Sequence, residues 1–342
     1  MAAMRKRGWI ALGVLVGVIA GATAFVDLAW RALHAELPIP PQGAWLEVAS
    51  GTPLRRVSTD LAQRNLLEHP LLLDVYARLR GDATRIRAGE YQLLPGLTPL
   101  TLVDKLVSGQ VYLHQLTIVE GWRFADLLAV VRADTAIRSG SLDGAAIMAE
   151  LGEPGVHPEG QFYPDTYSFP RGTTDLELLR TAHQAMRDHL AKAWDSRDPS
   201  SQLHDPYEAL ILASIIEKET ALPAERKLIS GVFQQRLKRG MRLQTDPTVI
   251  YGIGETFDGN LRRQDLERDT PYNTYTRTGL PPTPIALPGN ASLDAAVQPQ
   301  ATDALYFVAT GRGDGSHAFS ATLEEHDRAV RDYLKRLRGQ EP

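Results

Sequence analysis

Three kinds of hydrophobic pattern follow one another along the chain: an unbroken apolar run, short alternating segments, and longer segments with helical periodicity. The apolar run comes first, because Trp9–Val26 carries no charged residue. As a helix it would extend ~27 Å, about the hydrocarbon thickness of a bilayer. Arg5, Lys6 and Arg7 precede it, and basic residues favour the cytoplasmic side. The pattern predicts a single-pass membrane helix with a cytoplasmic N-terminus and a large domain outside the cytoplasm.

Two other interpretations of this run remain open. Ala22-Thr23-Ala24 has the small residues of a signal-peptidase site, so the run could be a signal peptide that is removed. A buried core helix is the third interpretation, although the run lies at the extreme terminus beside a basic cluster. The anchor and the signal peptide both place the remaining chain outside the cytoplasm.

A strand, a turn and a helix recur in the next part of the chain. Each unit has alternating residues, a turn containing Gly or Pro, and apolar residues at three- and four-residue spacing. Residues 31–43 form a predicted Pro-rich linker, and residues 44–110 a small α/β module with strand–helix–helix–strand order. The predicted elements are the strands Ala44–Ala49 and Glu90–Leu94 and the helices Leu54–Arg64, Leu71–Arg80 and Thr98–Val107.

Helical periods and loops alternate over the rest of the chain. Gly155–Pro170 has no clear period and is predicted to be an ordered loop, and 241–298 to be loop-rich with short helices. The fold class is α+β: a transmembrane segment at 1–30, the linker, the module, and a loop-rich mixed α/β domain at 111–342 that begins within 110–160. Its predicted elements are the strands Leu113–Val119 and Ala304–Thr310 and the helices Phe124–Val131, Thr174–Trp194, Tyr207–Thr220, Ala224–Arg239 and Leu323–Leu337.

Composition removes several function classes. The chain has 342 residues, with 37 Lys and Arg against 41 Asp and Glu, so no basic field indicates nucleic-acid binding. It has no cysteine, which excludes disulfides, cysteine nucleophiles, thiolate zinc sites and iron–sulfur clusters. An HExxH motif, a GxSxG elbow and the glycine-rich phosphate loops are also absent from the sequence.

The helix predicted at Tyr207–Thr220 carries two glutamates near its end. On a helical wheel, Glu219 lies on the apolar stripe, three and four residues after Ile216 and Ile215. Glu217 is about 200° away and belongs to the more solvated face. Aliphatic surroundings raise the pKa of a carboxyl group, and a general acid must keep its proton near neutral pH. Glu219 is therefore the candidate acid, with the capping of a neighbouring loop as the alternative.

Three loops near this helix in sequence are rich in amide, hydroxyl and aromatic side chains. Such side chains suit a carbohydrate groove, because rings stack on sugar faces and amides bind hydroxyl and N-acetyl groups. Turn formation explains the same residues for any one loop alone. The candidate substrate-binding residues are Glu159, Gln244, Thr245, Asp246, Tyr272, Asn273 and Tyr275.

Five segments resemble, in the same order, the signatures of one family, the YceG-like endolytic murein transglycosylases of the bacterial inner membrane. The resemblance extends from the apolar run to the last helix. In that family the part corresponding to residues 44–108 resembles a LysM-type peptidoglycan-binding module. The five segments are Ala213–Thr220, Arg242–Gly252, Tyr272–Tyr275, Gly279–Pro282 and His317–Phe319.

The resemblance implies a reaction and its setting. The β-1,4 bond between N-acetylmuramic acid and N-acetylglucosamine of nascent glycan strands would be cleaved to 1,6-anhydro ends, which terminates strand elongation. One glutamate acts as acid and then as base, and Ser or Thr often follows it, as Thr220 follows Glu219. No cofactor or metal ion is implied. The partners are glycan strands and peptidoglycan synthases, at the inner membrane with a periplasmic catalytic domain.

Two alternatives compete with this function. A peptidoglycan hydrolase would pair Glu219 with a second carboxylate, either Asp246 or Glu159, to activate water or to serve as nucleophile. A non-catalytic cell-wall binding or scaffold protein would use the 44–108 module and leave Glu219 without a chemical role.

Overall fold

The computed structural model describes residues 2–340, with side chains in the first helix described at Leu12, Gly13 and from Leu15 onward. The basic cluster Arg5–Arg7 and the start of the apolar run thus lie outside the residues whose side chains are described. The chain forms two compact units, one of residues 1–114 and 169–172 and the other of 115–168 and 173–342. The mixed α+β class predicted from the sequence is confirmed.

The N-terminal helix α1 spans Ala2–His34 and is longer than the apolar run. Its portion Leu15–His34 is apolar and long enough to cross a membrane, and none of it is buried inside the protein. This exposure argues against the interpretation of α1 as a buried core helix. An anchor and a signal sequence both fit the same helix.

The first unit confirms the predicted strand–helix–helix–strand order. Its two strands pair antiparallel, with Leu46 opposite Tyr91, and three helices cover one face of the pair. Leu37 and Ile39, from the segment predicted as a linker, lie in this core, so that segment is packed rather than free. The elements are β1 (Ala44–Val48), α2 (Leu54–Gln63), α3 (Pro70–Arg80), β2 (Gly89–Leu93) and α4 (Pro99–Ser108).

The next stretch has two elements that the sequence did not predict. A short helix follows α5, and the last part of the predicted loop Gly155–Pro170 is a strand that pairs with β3. The loop prediction is therefore wrong at its C-terminal end. The elements are β3 (Leu113–Thr117), α5 (Phe124–Ala133), α6 (Gly144–Glu150) and β4 (Thr166–Pro170).

The second unit is built around one central helix. α7 (Asp175–Asp195), α9 (Pro223–Lys238), α10 (Asp246–Ile253) and α12 (Asn290–Val297) all pack against α8 (Pro206–Glu219). Every residue of 209–216 in α8 is buried, including Ser214, so the helix has no solvated face along that length. The remaining elements are α11 (Arg263–Glu267), β5 (Tyr306–Ala309), β6 (His317–Ser320) and α13 (Leu323–Gln340).

Candidate active site

Glu219 is the last residue of the central helix α8, and its carboxyl group lines a cavity of 550 Å³. Thr220 leaves the helix in an extended conformation, so the side chain before it lies where the helix ends. The hydroxyl of Thr245 donates a hydrogen bond of 2.8 Å to Glu219 Oε2. Glu219 Oε1 has no hydrogen-bond partner among the described residues and is left for a ligand. The cavity is also lined by Arg236, Leu243, Gln244, Asp246, Tyr275, Tyr306, Phe307, Val308, Ala309, His317, Leu323, His326, Asp327 and Val330.

Burial raises the pKa of Glu219 to about 7. The hydrogen bond from Thr245 opposes that rise, the negative charge of Asp246 adds to it, and the positive charges of His317 and Arg236 reduce it. A carboxyl group with this pKa is present in both protonation states near neutral pH. It can therefore give a proton to a bound substrate and afterwards take one back.

Asp246 and Tyr275 form a second polar pair in the cavity. The hydroxyl of Tyr275 donates a hydrogen bond of 2.5 Å to Asp246 Oδ1, and burial raises the pKa of that hydroxyl. Asp246 is the first residue of α10, where the partial positive charge of the helix N-terminus stabilises a carboxylate. Four of the seven predicted substrate-binding residues thus line the cavity with Glu219 or contact it. The four are Gln244, Thr245, Asp246 and Tyr275.

Arg236 of α9 also shapes this cavity and was not predicted as a site residue. It is buried and donates to the carbonyl oxygens of Leu305 at 2.6 Å and Leu243 at 2.8 Å. Its guanidinium also reaches Gln244, which has a φ of 51°, a conformation that residues other than glycine seldom adopt. Arg236 thus holds a strained turn beside Glu219, and strained residues of this kind concentrate at functional sites. A buried arginine bonded to backbone carbonyls leaves no pattern in the sequence.

His317 of β6 also lines the cavity and was not predicted as a site residue. Its ring Nδ1 lies 2.7 Å from Glu225 Oε2, and its backbone N–H donates to Glu225 Oε1 at 3.0 Å. The sequence contained one indication, because His317 belongs to the segment His317–Phe319 that resembles a family signature.

Three predicted substrate-binding residues lie outside this cavity, and the polar groups of each form hydrogen bonds within the protein. Asn273 is fully buried and donates to the carbonyl oxygens of Asp265, Leu266 and Arg268, so it builds a turn. The Tyr272 hydroxyl bonds Thr283 at 2.9 Å.

Glu159 is the third, and it is 3% exposed. It accepts hydrogen bonds from the backbone N–H of Phe124 and from the hydroxyl of Tyr251, and it does not line the Glu219 cavity. The loop that carries Tyr272 and Asn273 also lines the cavity, through Tyr275, whereas the loop that carries Glu159 contributes no residue to the cavity wall.

The expectation that Glu217 lies on a solvated face of α8 is wrong. Its side chain is 6% exposed and pairs with Arg226 at 3.1 Å. Its other oxygen accepts from the backbone N–H of Gly289. The expectation failed because other elements cover the end of α8 as well. The two glutamates nevertheless differ. Both oxygens of Glu217 form structural hydrogen bonds, whereas the carboxyl group of Glu219 faces the cavity.

The described residues hold no group of three or more His, Asp or Glu side chains arranged to bind a metal ion. The chemistry that the cavity offers comes from Glu219, with Asp246, Tyr275 and His317 around it.

Known proteins resemble this chain over most of its length. The model of the YceG-like family matches residues 46–332. An endolytic murein transglycosylase of Bacillus subtilis (strain 168) is 32% identical over 308 residues, which cover 84% of both chains. One from Streptococcus pneumoniae serotype 2 (strain D39) is 27% identical over 84% of this chain and 58% of its own length. The 2.6 Å crystal structure of a YceG-like protein from Listeria monocytogenes is 30% identical, with a TM-score of 0.53, and covers 84% of this chain and 99% of that one.

The site is of the acid–base class, with one carboxyl group of near-neutral pKa in an open polar cavity at the end of a buried helix. Its position in the sequence lies within the matched range. The chain belongs to the YceG-like family.

Proposed function

We propose that this protein is an endolytic murein transglycosylase, a lytic transglycosylase that acts on peptidoglycan. The observation that carries the proposal is the Glu219 carboxyl group, raised to a pKa of about 7 and exposed to a 550 Å³ cavity. Membership of the YceG-like family, together with relatives named for this activity, supports the same conclusion.

The mechanism needs one carboxyl group used twice. Protonated Glu219 gives its proton to the oxygen of the β-1,4 bond between N-acetylmuramic acid and N-acetylglucosamine, and the muramyl C1 becomes oxocarbenium-like. The Glu219 carboxylate then takes the proton of the muramyl C6 hydroxyl as that oxygen bonds C1. The product is a 1,6-anhydro end, and no water is consumed. The hydrogen bond from Thr245 holds one carboxyl oxygen, which leaves the other for the substrate.

The cavity side chains provide the contacts for the sugars. Gln244, Asp246 and Tyr275 line the cavity with amide, carboxylate and phenol groups, which match the hydroxyl and N-acetyl groups of the glycan. Thr245 contributes through Glu219. Tyr272 and Asn273 act one layer further out, because Asn273 Oδ1 accepts from the Tyr275 backbone N–H and so fixes the loop. Glu159 supports the start of α5 in the same indirect way.

The first unit is the proposed peptidoglycan-binding part. Residues 44–110 have the strand–helix–helix–strand order of the LysM-like module expected from the sequence. Trp45 of this module is 45% exposed, and exposed rings of this kind stack on sugars. Its ring centroid lies 4.8 Å from that of Tyr112, which follows the module directly and belongs to the same compact unit. We assign the catalytic domain to 111–342 and the anchor and its connection to 1–30 and 31–43.

The helix α1 supports a place in the bacterial inner membrane, with the N-terminus in the cytoplasm and the catalytic domain in the periplasm. Nascent glycan strands are made at that surface, so the proposed enzyme would end their elongation beside peptidoglycan synthases. The proposal requires no cofactor.

Mass spectrometry of digested peptidoglycan tests the function. We expect the full-length protein to produce anhydro-muramic ends from uncross-linked strands and Glu219→Gln to produce none. The matched control is Glu217→Gln, which removes a buried ion pair two residues away and should lower stability while leaving cleavage. Loss of cleavage in Glu217→Gln with full activity in Glu219→Gln would reverse the assignment. Absence of cleavage by the native chain would favour the non-catalytic binding protein.

A two-carboxylate hydrolase is the second candidate, and one observation favours it: Asp246 lies in the cavity with Glu219. A hydrolase leaves reducing muramyl ends because water attacks C1. The same spectra separate the two reactions, and reducing ends that disappear in Asp246→Asn would establish hydrolysis.

A further inference from the structure

One edge of the His317 ring is hydrogen-bonded to the protein, and the opposite edge faces the cavity. Both oxygens of Glu225 bond to this residue, one to ring Nδ1 at 2.7 Å and one to its backbone N–H at 3.0 Å. The ring also packs edge-on against Phe307, with centroids 5.5 Å apart. Position and tilt of the imidazole are thus fixed by two neighbours on two different elements.

The bond to Glu225 decides which ring nitrogen carries the hydrogen. A carboxylate only accepts hydrogen bonds, so Nδ1 is the donor, and in the neutral ring Nε2 has a free lone pair. Nε2 bonds no other described residue. Nε2 of His183 and Nδ1 of His326 are buried and without a hydrogen-bond partner, whereas Nε2 of His317 is accessible to solvent. The structure therefore fixes a hydrogen-bond acceptor that is open at the cavity wall.

His317 and Glu219 line the same cavity, and a positive charge on His317 lowers the pKa of Glu219. The charged and titratable groups around the ring come from five elements and one loop. They are Glu219 of α8, Glu225 and Arg236 of α9, Asp246 of α10, Tyr275 of the loop before α12, Tyr306 of β5, and His326 and Asp327 of α13.

We propose that His317 is a further substrate-contacting residue, whose Nε2 accepts a hydrogen bond from a hydroxyl group of the saccharide bound beside Glu219. Glu225 is the positioning residue that fixes the ring tautomer. The inference rests on the proposed function, because it assumes that the cavity holds a glycan.

The proposal predicts which kinetic constant changes. Because the Nε2 contact helps to hold the bound saccharide, its loss should raise KM and change kcat much less. A purely structural His317 would lower the stability of the protein without a selective rise in KM.

Two substitutions of the same histidine separate the contact from a structural role. His317→Asn keeps an amide at the place of Nδ1, where it can still bond Glu225, and has no atom at the place of Nε2. His317→Gln keeps a polar atom near the place of Nε2. We expect His317→Asn to raise KM about tenfold, the size of one lost hydrogen bond, and His317→Gln to retain most of the affinity.

The positioning role of Glu225 has its own readout. We expect Glu225→Gln to raise KM with little change in kcat, because an amide can donate to Nδ1 and so allow the tautomer that carries its hydrogen on Nε2. His204→Asn, at an exposed histidine outside the cavity, is the control and should match the native chain.

All variants are tested as full-length protein in detergent, with kcat and KM for the cleavage of purified glycan strands measured at neutral pH. Binding of the same strands is measured in the inactive Glu219→Gln background, where His317→Asn should raise the dissociation constant about tenfold. Native KM and binding in His317→Asn, with impaired His317→Gln, would overturn the proposal and leave His317 a structural residue. If strands bind without being cleaved, the proposed function fails while the contact is still decided by the binding series. If the native chain binds no strands, both fall.

Discussion

At the residue scale, Glu219 and Glu159 share a raised pKa of about 7 and differ in what surrounds them. Glu219 faces the open cavity, with one oxygen bonded by Thr245. Glu159 is closed in, with one oxygen bonded by the Phe124 N–H and the other by the Tyr251 hydroxyl. In both, burial is the largest cause of the raised pKa. A perturbed pKa therefore selects both residues, and only access to a cavity distinguishes the candidate catalyst.

Glu159 gives a prediction about stability and pH. The folded chain keeps its proton up to pH about 7, whereas the unfolded chain loses it near 4.5. The folded state thus binds more protons in this window, so the free energy of unfolding contributed by Glu159 falls as pH rises from 4.5 to 7. Because Glu159→Gln has no proton to lose, we expect it to be more stable than the native chain by about 3 kcal/mol at pH 8 and nearly equal at pH 4.

Urea unfolding of the full-length protein at pH 4, 6 and 8 measures this difference. Glu255→Gln, at an exposed glutamate, serves as the control and should change stability by only a few tenths of a kcal/mol at each pH. A constant difference between Glu159→Gln and the native chain across the three pH values would contradict the prediction.

Part of the candidate site could be predicted from residue types and sequence order. Gln244, Asp246 and Tyr275 line the cavity with Glu219, as expected for polar loops near the α8 segment. Asn273 has the same chemistry and was placed with them, but its amide bonds three carbonyl groups of a turn. Sequence shows which groups can form hydrogen bonds and does not show which are already satisfied, and for that reason it also missed Arg236.

At the scale of elements, the enclosure of α8 on all sides could not be predicted from its hydrophobic pattern. The wheel assumed one buried stripe and one solvated face, as on a surface helix. Instead, α7, α9, α10 and α12 surround the helix, and even Ser214 is fully buried, with its hydroxyl bonded to Ile211 O and to the Ile285 N–H. Glu219 was selected on the assumption of a stripe, and its enclosure comes from the packing of the whole unit.

The longer elements were predictable, and most of the short ones were not. The helices α2, α3, α4, α7, α8 and α9 agree with the predicted ones to within one or two residues, because their apolar periods are long. β4 pairs with β3, a strand distant in sequence, and such pairing depends on tertiary contacts that no local pattern records. β6 pairs with its neighbour β5 across a short connection, and its four residues are too few to show a period.

At Gly231 of α9, we expect a substitution by alanine to destabilise the protein, the opposite of its usual effect in a helix. Alanine in place of glycine inside a helix usually stabilises a protein by up to ~1 kcal/mol. Here a Cβ at Gly231 would lie 2.2 Å from the carbonyl oxygen of Gln300, whose own N–H is bonded to Lys227. We expect Gly231→Ala to lower the free energy of unfolding by about 2 kcal/mol, because backbone must move to admit the methyl group.

Urea unfolding checks the effect of Gly231→Ala. Lys238→Ala, at an exposed position of the same helix, is the control and should stay within about 0.5 kcal/mol of the native chain. A more stable Gly231→Ala would mean that the segment at Gln300 moves aside without cost.

At the scale of the whole molecule, the chain joins a candidate membrane helix to two compact units. The helical stretch Leu15–His34 is not buried by either unit, and an exposed apolar helix of this length in water would be a strong aggregation hazard. For the proposed membrane anchor, a bilayer removes that hazard. The remaining question is whether the helix stays attached, since Ala22-Thr23-Ala24 lies within it.

We expect the helix to be retained as an anchor, because its apolar length matches the bilayer core and a basic cluster precedes it. The protein should therefore stay in the membrane fraction after high-salt and carbonate washes, dissolve in detergent, and show the intact mass of the full chain. The matched variant replaces Ala22 and Ala24 with Leu, which a signal peptidase does not accept. An anchored native chain and this variant should behave alike. If the native chain is soluble and begins after Ala24 while the variant remains full-length in the membrane, the helix is a signal peptide, and the catalytic unit would act free in the periplasm rather than beside the synthases.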